Sequence, residues 1–184
     1  MPLPVSLVES FRLFIRAYTA DDAPALFRLI STEKESLKNY FPLTVESTAT
    51  LAATRAFIKT RIRETKEGKS AFYGIFEKKT GRLIGQIAVR EINWRVPKCE
   101  LGYFIISEKR GQGFAPEALN AITRFCFEKA GMVKLLLRIE NINQPSKRVA
   151  EKCGFLYSGT LRSDFRSPEG RLMDCEVWEK IAGE

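Results

Sequence analysis

The sequence predicts a mixed α/β domain, and three of its features carry that prediction. Short runs rich in β-branched and aromatic residues alternate with amphipathic stretches along the whole chain. One central segment, Cys99 to Ser107, is almost continuously apolar, as a buried central strand would be. Glycines and prolines punctuate the segments, but there is no linker, internal repeat or shift of composition, so residues 1–184 read as one domain.

Residues 11–18 partly alternate and predict a first strand. Thr19 and Asp22 form a capping pair ahead of a helix in which Leu26, Leu29, Ile30 and Leu37 recur at helical spacing. A second helix is expected over roughly 47–66, with Leu51, Ile58 and Ile62 on one face and Gly68 beyond its end. Strands at 70–77 and 82–93 flank a Lys79-Thr80-Gly81 turn. The apolar strand at 99–107 leads through a glycine-rich turn into a helix from about Ala115 to Ala130, with Ala115, Ala118, Leu119, Ile122 and Cys126 on its inner face and Gly131 closing it. A strand at 133–139 and a short helix at 143–153 follow, the helix stopping at Gly154. Two last strands, 155–166 and 171–180, flank Ser167-Pro168-Glu169-Gly170. The order β-α-α-β-β-β-α-β-α-β-β describes a mixed sheet covered by helices.

Apolar residues make up 45% of the chain, enough for a real core. No apolar run approaches the ~18 residues that would span a bilayer, so no membrane association is expected. Met1-Pro2-Leu3-Pro4 lacks the basic-then-apolar pattern of a secretory signal, which makes a cytoplasmic location the expectation. A net charge of +8 suits an anionic partner, whether a phosphorylated cofactor, an acidic protein or nucleic acid, and serves solubility equally well. No zinc pattern, RNA-recognition motif or basic helix with interleaved aromatics is present, so direct nucleic-acid binding is not expected. The four cysteines form no CxxC pair and histidine is absent, which removes most zinc sites and every Ser-His or Cys-His dyad. They read as reduced thiols, and no metal is expected. Trp94, Trp178, Phe125 and Phe127 read as packing residues, and Arg61, Arg63 and Lys66 as a solvated helix face.

The sharpest local feature is Lys109-Arg110-Gly111-Gln112-Gly113-Phe114-Ala115-Pro116, set between a strand and a helix. A helix N-terminus presents unpaired N–H groups and a partial positive charge, and therefore attracts phosphate. Glycines at 111 and 113 would let the backbone approach an anion closely, and Pro116 suits the first helical turn. A glycine turn kept only for tight packing is the other reading. No Rossmann fingerprint or phosphate-loop motif accounts for it.

Arg110-x-x-Gly113-x-Ala115 resembles the CoA-pyrophosphate signature of GNAT acetyltransferases. Glu100-Leu-Gly-Tyr-Phe-Ile-Ile resembles that family's fourth strand, and Asn143-Gln-Pro-Ser146 with Glu151-Lys-Cys-Gly-Phe155 its second CoA-side segment. The three stand in register over about residues 11–180, and within the family the pattern is most similar to the ribosomal-protein N-terminal acetyltransferases of the RimJ/RimL branch. The resemblance implies a GNAT fold: a central mixed sheet of six to seven strands, fourth and fifth strands splayed, helices on both faces. It implies acetyl-CoA as cosubstrate, with backbone groups near Phe104, Ile105 and Ile106 pairing with the pantetheine amides and Arg110, Gly111, Gln112, Gly113, Phe114 and Ala115 holding the pyrophosphate. The acceptor it implies is the N-terminal α-amine of a protein, an acidic ribosomal protein among the candidates, or else a small amine such as a polyamine or aminoglycoside. A homodimer is compatible with it, and so is a non-catalytic acetyl-CoA sensor.

In the family reaction a neutral amine attacks the thioester, so one proton must leave the amine and the departing thiolate must be stabilised. Glu100 is the base candidate by position on the splayed strand; a strand carboxylate paired with a nearby arginine is the alternative. Uncovering a neutral α-amine at pH 7 costs about 1 kcal/mol, and a lysine amine about 4–5 kcal/mol, which leans towards protein N-termini. Many relatives supply a Tyr where this chain has Ala150, so Ser146 is expected to stand in at the thiolate, or else only to cap the short helix. Asn143 either caps that helix or contacts the pantetheine.

Overall fold

The computed structural model describes residues 7–184; Met1-Pro2-Leu3-Pro4, and the reading of it as no secretory signal, lie outside them. Eight strands form one sheet: β1 (Val8–Glu9), β2 (Leu13–Ala17), β3 (Ala71–Glu77), β4 (Leu83–Asn93), β5 (Lys98–Ile105), β6 (Lys134–Glu140), β7 (Leu156–Arg166) and β8 (Leu172–Ile181). The helices are α1 (Ala23–Leu37), α2 (Pro42–Ser47), α3 (Leu51–Lys66), α4 (Phe114–Glu128) and α5 (Gln144–Lys152). The strands lie in the order β1-β2-β3-β4-β5-β6-β8-β7. Every neighbouring pair is antiparallel except β5–β6, which is parallel and needs the crossover helix α4.

Successive strand residues point to opposite faces, and this parity sorts the helices. On β3, Phe72 packs edge-on against Phe57 of α3, while Tyr73 packs against Phe125 of α4. So α3 and α4 cover opposite faces. Register carries the same parity across the sheet: Phe72 opposes Ala88, Arg90 opposes Glu100, and Glu100 opposes Leu136. Glu100 therefore stands on the α3 face. Tyr73, Ile87 and Tyr103 stand together on the α4 face.

The expected elements are found within a few residues of their predicted limits, with two differences. The sheet has eight strands rather than six or seven, because the two-residue β1 pairs with β2; with β1 counted, the expected fourth and fifth strands are β5 and β6. The helix expected over roughly 47–66 starts at Leu51, and a short helix not expected from the sequence, α2, precedes it. Thr48, Ala49 and Thr50 separate the two: the Thr48 hydroxyl donates back to the Thr44 carbonyl at 2.7 Å, and the Thr50 side chain accepts from the Ala53 N–H at 3.1 Å as the cap of α3. Threonine side chains here satisfy backbone groups that would otherwise continue the helix. The Thr19–Asp22 pair forms as expected, with the Thr19 N–H donating to Asp22 at 2.7 Å. Cys99, Cys126, Cys153 and Cys175 are buried and free. Among the described residues no helix is long and apolar enough to cross a membrane, and no group of candidate metal ligands occurs.

Candidate active site

β5 and β6 pair only at Lys98–Lys134, Cys99–Leu135 and Glu100–Leu136. Beyond that point β5 stays with β4 as far as Ile105, while β6 follows β8 to Glu140. The strands thus part, and a cleft of about 610 Å³ opens between them. Leu101, Tyr103, Leu137, Glu140, Asn143 and Ser146 line it, with the α1–α2 segment at Tyr40–Thr44 and the β7–β8 turn on one side.

Strand alternation decides which backbone groups face this gap. Ile106 donates to the Ile84 carbonyl at 2.9 Å, and its own carbonyl accepts from Lys109. In an antiparallel ladder the hydrogen-bonded pairs recur every second residue, so Phe104 also turns its N–H and C=O to β4. Leu101, Tyr103 and Ile105 turn theirs to the gap. Of the three residues expected to meet a pantetheine arm, Phe104 faces β4, Ile106 gives its N–H to β4 and its carbonyl to Lys109, and Ile105 keeps its N–H towards the gap while its carbonyl accepts from Arg110 at 3.0 Å.

The loop before α4 has the geometry its glycines suggested. Gly113, the residue preceding the helix, has φ +81°, and Gly111 has φ +74°. Among the described residues no acceptor meets the N–H groups of Gly111, Gln112, Gly113, Phe114 or Ala115. An unassigned residue, Arg12 of the β1–β2 turn, fastens the loop. Its guanidinium pairs with Glu117 at 2.7 Å, donates to the Gln112 carbonyl at 3.0 Å and lies 4.1 Å above the Phe114 ring. Arg110 turns inward: Nε donates to the Ile105 carbonyl, and the far nitrogen reaches Ser36 at 3.1 Å and Glu33 at 3.5 Å. Lys109 is tied to Glu77 at 2.9 Å. Buried Glu33 accepts from both the N–H and the hydroxyl of Ser107. Burial pushes Glu33 up, but these hydrogen bonds, with one from Ser36 and the Arg110 charge, outweigh it and hold the carboxyl below its usual range.

Glu100 sits where β5 and β6 part, its side chain 4% exposed. Arg90 reaches one carboxylate oxygen at 2.7 Å and Arg138 the other at 2.5 Å. A methyl group at Gly102 would come within 3.3 Å of the Arg90 guanidinium, so the glycine makes room for that pair. Arg138 also reaches Asp164 of β7 at 3.3 Å. It borders a second basin of about 970 Å³ on the same sheet face, lined by Glu67, Lys69, Trp94, Arg95, Lys98 and Glu100 among others. Arg61, expected on a solvated face, instead lies between the Phe57 and Phe72 rings at 4.7 and 4.3 Å.

On the α4 face, the Asn143 side chain caps α5 by accepting from the Ser146 N–H at 3.2 Å, and both residues line the cleft. Tyr103 was not singled out in the sequence. Its hydroxyl is buried and has no hydrogen-bond partner of ordinary geometry. Burial pushes it well above its usual range, and the neighbouring Ser146 hydroxyl draws it only part of the way back. No local pattern marks Glu140; it is 8% exposed, and burial alone raises its carboxyl. The signal for Tyr103 lay within Glu-Leu-Gly-Tyr, but nothing local marked its hydroxyl as unpartnered.

Residues 12–156 match the family described as "Acetyltransferase (GNAT) domain". The N-acetyltransferase YoaA of Bacillus subtilis, itself uncharacterized, is 28% identical over 175 residues, covering 95% of this chain and 96% of that protein. The ribosomal-protein-serine acetyltransferase of Escherichia coli is 25% identical over 160 residues, 86% of each chain. The structure of Mycobacterium smegmatis RimJ in complex with CoA-disulfide superposes with a TM-score of 0.90 at 19% identity, covering 98% of this chain and 90% of that one, a likeness of fold. The parted central strands, the open N–H groups before α4 and the family match agree, and the chain belongs to the GNAT acetyltransferase family as an N-acetyltransferase.

Proposed function

We propose that this enzyme transfers acetyl from acetyl-CoA to the N-terminal α-amine of a protein. The observation that carries the reading is the 970 Å³ basin beside the cleft, which shares Arg138 with it. A small amine needs only the cleft. A polypeptide end entering from the α3 face has a continuing trough for the residues after its first. Lys69, Arg95, Lys98 and Arg138 line that trough against Glu67, Glu91 and Glu100; Lys69 pairs with Glu67 and Arg138 with Glu100, and Arg95 and Lys98 are the cations that suit an acidic segment. The name of the Escherichia coli relative, a ribosomal-protein-serine acetyltransferase, points to the same acceptor class.

In this reading the N–H groups of Gly111, Gln112, Gly113, Phe114 and Ala115 hold the pyrophosphate, and Arg110 braces the loop from behind. Ile105, Tyr103 and Leu101 offer backbone groups to the pantetheine. The thioester lies where β5 and β6 part, its carbonyl carbon reachable from the α3 face and its sulfur turned to the α4 face. As the amine attacks and the C–S bond breaks, the pair left on sulfur accepts hydrogen bonds from the Ser146 and Tyr103 hydroxyls. Glu100 holds Arg90 and Arg138 in position at the junction of cleft and basin; its carboxylate oxygens are largely occupied by those two cations.

The test is acetyl-CoA-dependent thiol release with peptides bearing a free N-terminal serine or alanine, with and without acidic residues at positions 2–6, against lysine peptides and spermidine. N-terminal peptides should be acetylated by mass spectrometry, the acidic ones with the lower KM. Preference for spermidine would replace this acceptor with a small amine. Ser146→Ala should lower kcat with acetyl-CoA affinity retained.

A further inference from the structure

We infer that Glu140 takes the proton from the acceptor amine. The inference rests on the acetyl-transfer reaction proposed above and adds the base that this reaction lacks. Glu140 ends β6 at the open end of the cleft and lines it. Strand parity puts it on the face of Leu136 and Arg138, opposite Cys175 of β8. That is the α3 face, from which an amine must approach a thioester whose sulfur lies towards α5.

Its surroundings differ in kind from those of Glu100. Glu100 has both carboxylate oxygens bound to guanidinium groups, and a carboxylate so engaged has few lone pairs to offer a proton. Among the described residues no lysine or arginine pairs with Glu140 and no donor hydrogen-bonds to its carboxylate, although it is nearly enclosed. Burial raises its proton affinity towards that useful in a base working near neutrality. The Cys175 thiol stands opposite it, and the other titratable or charged groups lining the cleft are Arg138 on its own strand, Asp164 and Arg166 on β7, Arg90 and Tyr103 across the gap, and Tyr40 and Glu46 at the α1–α2 side.

An arriving alkylammonium gives one proton to the Glu140 carboxylate. The neutral nitrogen attacks the thioester carbon, a C–N bond forms and the C–S bond breaks with its electron pair going to sulfur. The second nitrogen proton leaves through water and neutralises the thiolate as CoA-SH. Glu140 then returns its proton to solvent at the mouth of the cleft. Nothing is oxidised or reduced.

The experiment compares wild type with Glu140→Gln and Glu140→Asp, measuring thiol release with an N-terminal serine peptide, with spermidine and with water alone, and acetyl-CoA affinity by calorimetry. Glu140→Gln should keep that affinity and lose at least about tenfold in kcat/KM for the amine. The acid limb of the wild-type pH–rate profile should vanish with it, and Glu140→Asp should recover part of the rate with the limb restored. A Glu140→Gln rate within twofold of wild type, or an unchanged acid limb, would overturn the inference. If wild type releases no thiol with any amine, the transfer reading itself fails; Glu140 is then judged on the slow water-driven release, where equal rates count against it.

Discussion

At the scale of single residues, the cleft and its edge join groups with opposite electrostatic surroundings. Glu100 is a buried carboxylate neutralised by two arginines, whereas Tyr103 is a buried hydroxyl left without a partner. An unsatisfied buried hydroxyl costs about 1–3 kcal/mol; Tyr73 and Thr123 carry such hydroxyls too, but of the three Tyr103 is the one that lines the cleft, where a ligand could complete it. Tyr103→Phe should therefore leave the enzyme as stable as wild type or about 1 kcal/mol more stable in urea unfolding, yet slower in thiol release with CoA affinity preserved. A fall in stability together with unchanged turnover would show the hydroxyl to be structural. The position that carries a Tyr in many relatives is Ala150, fully buried, so α5 has no phenol to offer there. Tyr103 reaches the same neighbourhood from β5.

At the scale of elements, caps and turns decide where functional groups stand. Asn143 both ends the β6 connection and accepts the Ser146 N–H, so one side chain sets the orientation of the hydroxyl at the cleft. Thr50 does the same capping for α3, at a distance from the cleft. Asn143→Ala and Thr50→Ala should each cost about 1 kcal/mol of stability in denaturant melts, but only the first should lower turnover. Equal turnover in the two variants would reduce the Asn143 cap to a folding device. The loop before α4 works on the same principle: glycine at φ +81° starts the helix, and Arg12, about a hundred residues earlier, holds the loop's outer side. The motif was legible because it is local. Its fastening was not, because Arg12 reads as an ordinary strand cation until the sheet sets β2 beside α4.

For the whole molecule, buried or half-buried carboxylates tie segments together, Glu33 with Ser107 and Arg110 and Glu117 with Arg12 across long stretches of chain, and Asp22 with Arg16 at the start of α1. In each, burial raises the carboxyl, but hydrogen bonds and nearby cations outweigh it and leave its proton affinity below normal. A depressed carboxyl contributes stability above its unfolded-state value, about 4, and loses it as pH falls through the lower folded value. Stability should hold from pH 7 to about pH 5 and decline below about pH 4, with urea midpoints as the measurement. Glu140, with its raised carboxyl, acts in the opposite sense: its charged form costs stability as pH rises, so Glu140→Gln should gain stability at pH 7 relative to pH 5, read from the same urea midpoints.

The order of strands and helices, the glycine loop and the apolar central strand all follow from patterns within a few residues of one another, which is why the sequence alone determines them. The start of the helix expected over 47–66 falls later, at Leu51, because threonines suit either a helix or a cap and Thr50 serves as the cap here, a choice the local pattern does not make. Where β5 and β6 part, which backbone groups face the gap, and the meetings of Arg90 with Arg138 and of Tyr103 with Ser146 were decided by tertiary structure. Those groups lie tens of residues apart in the chain, and their distances, burial and unmet hydrogen bonds exist only once the strands are laid side by side.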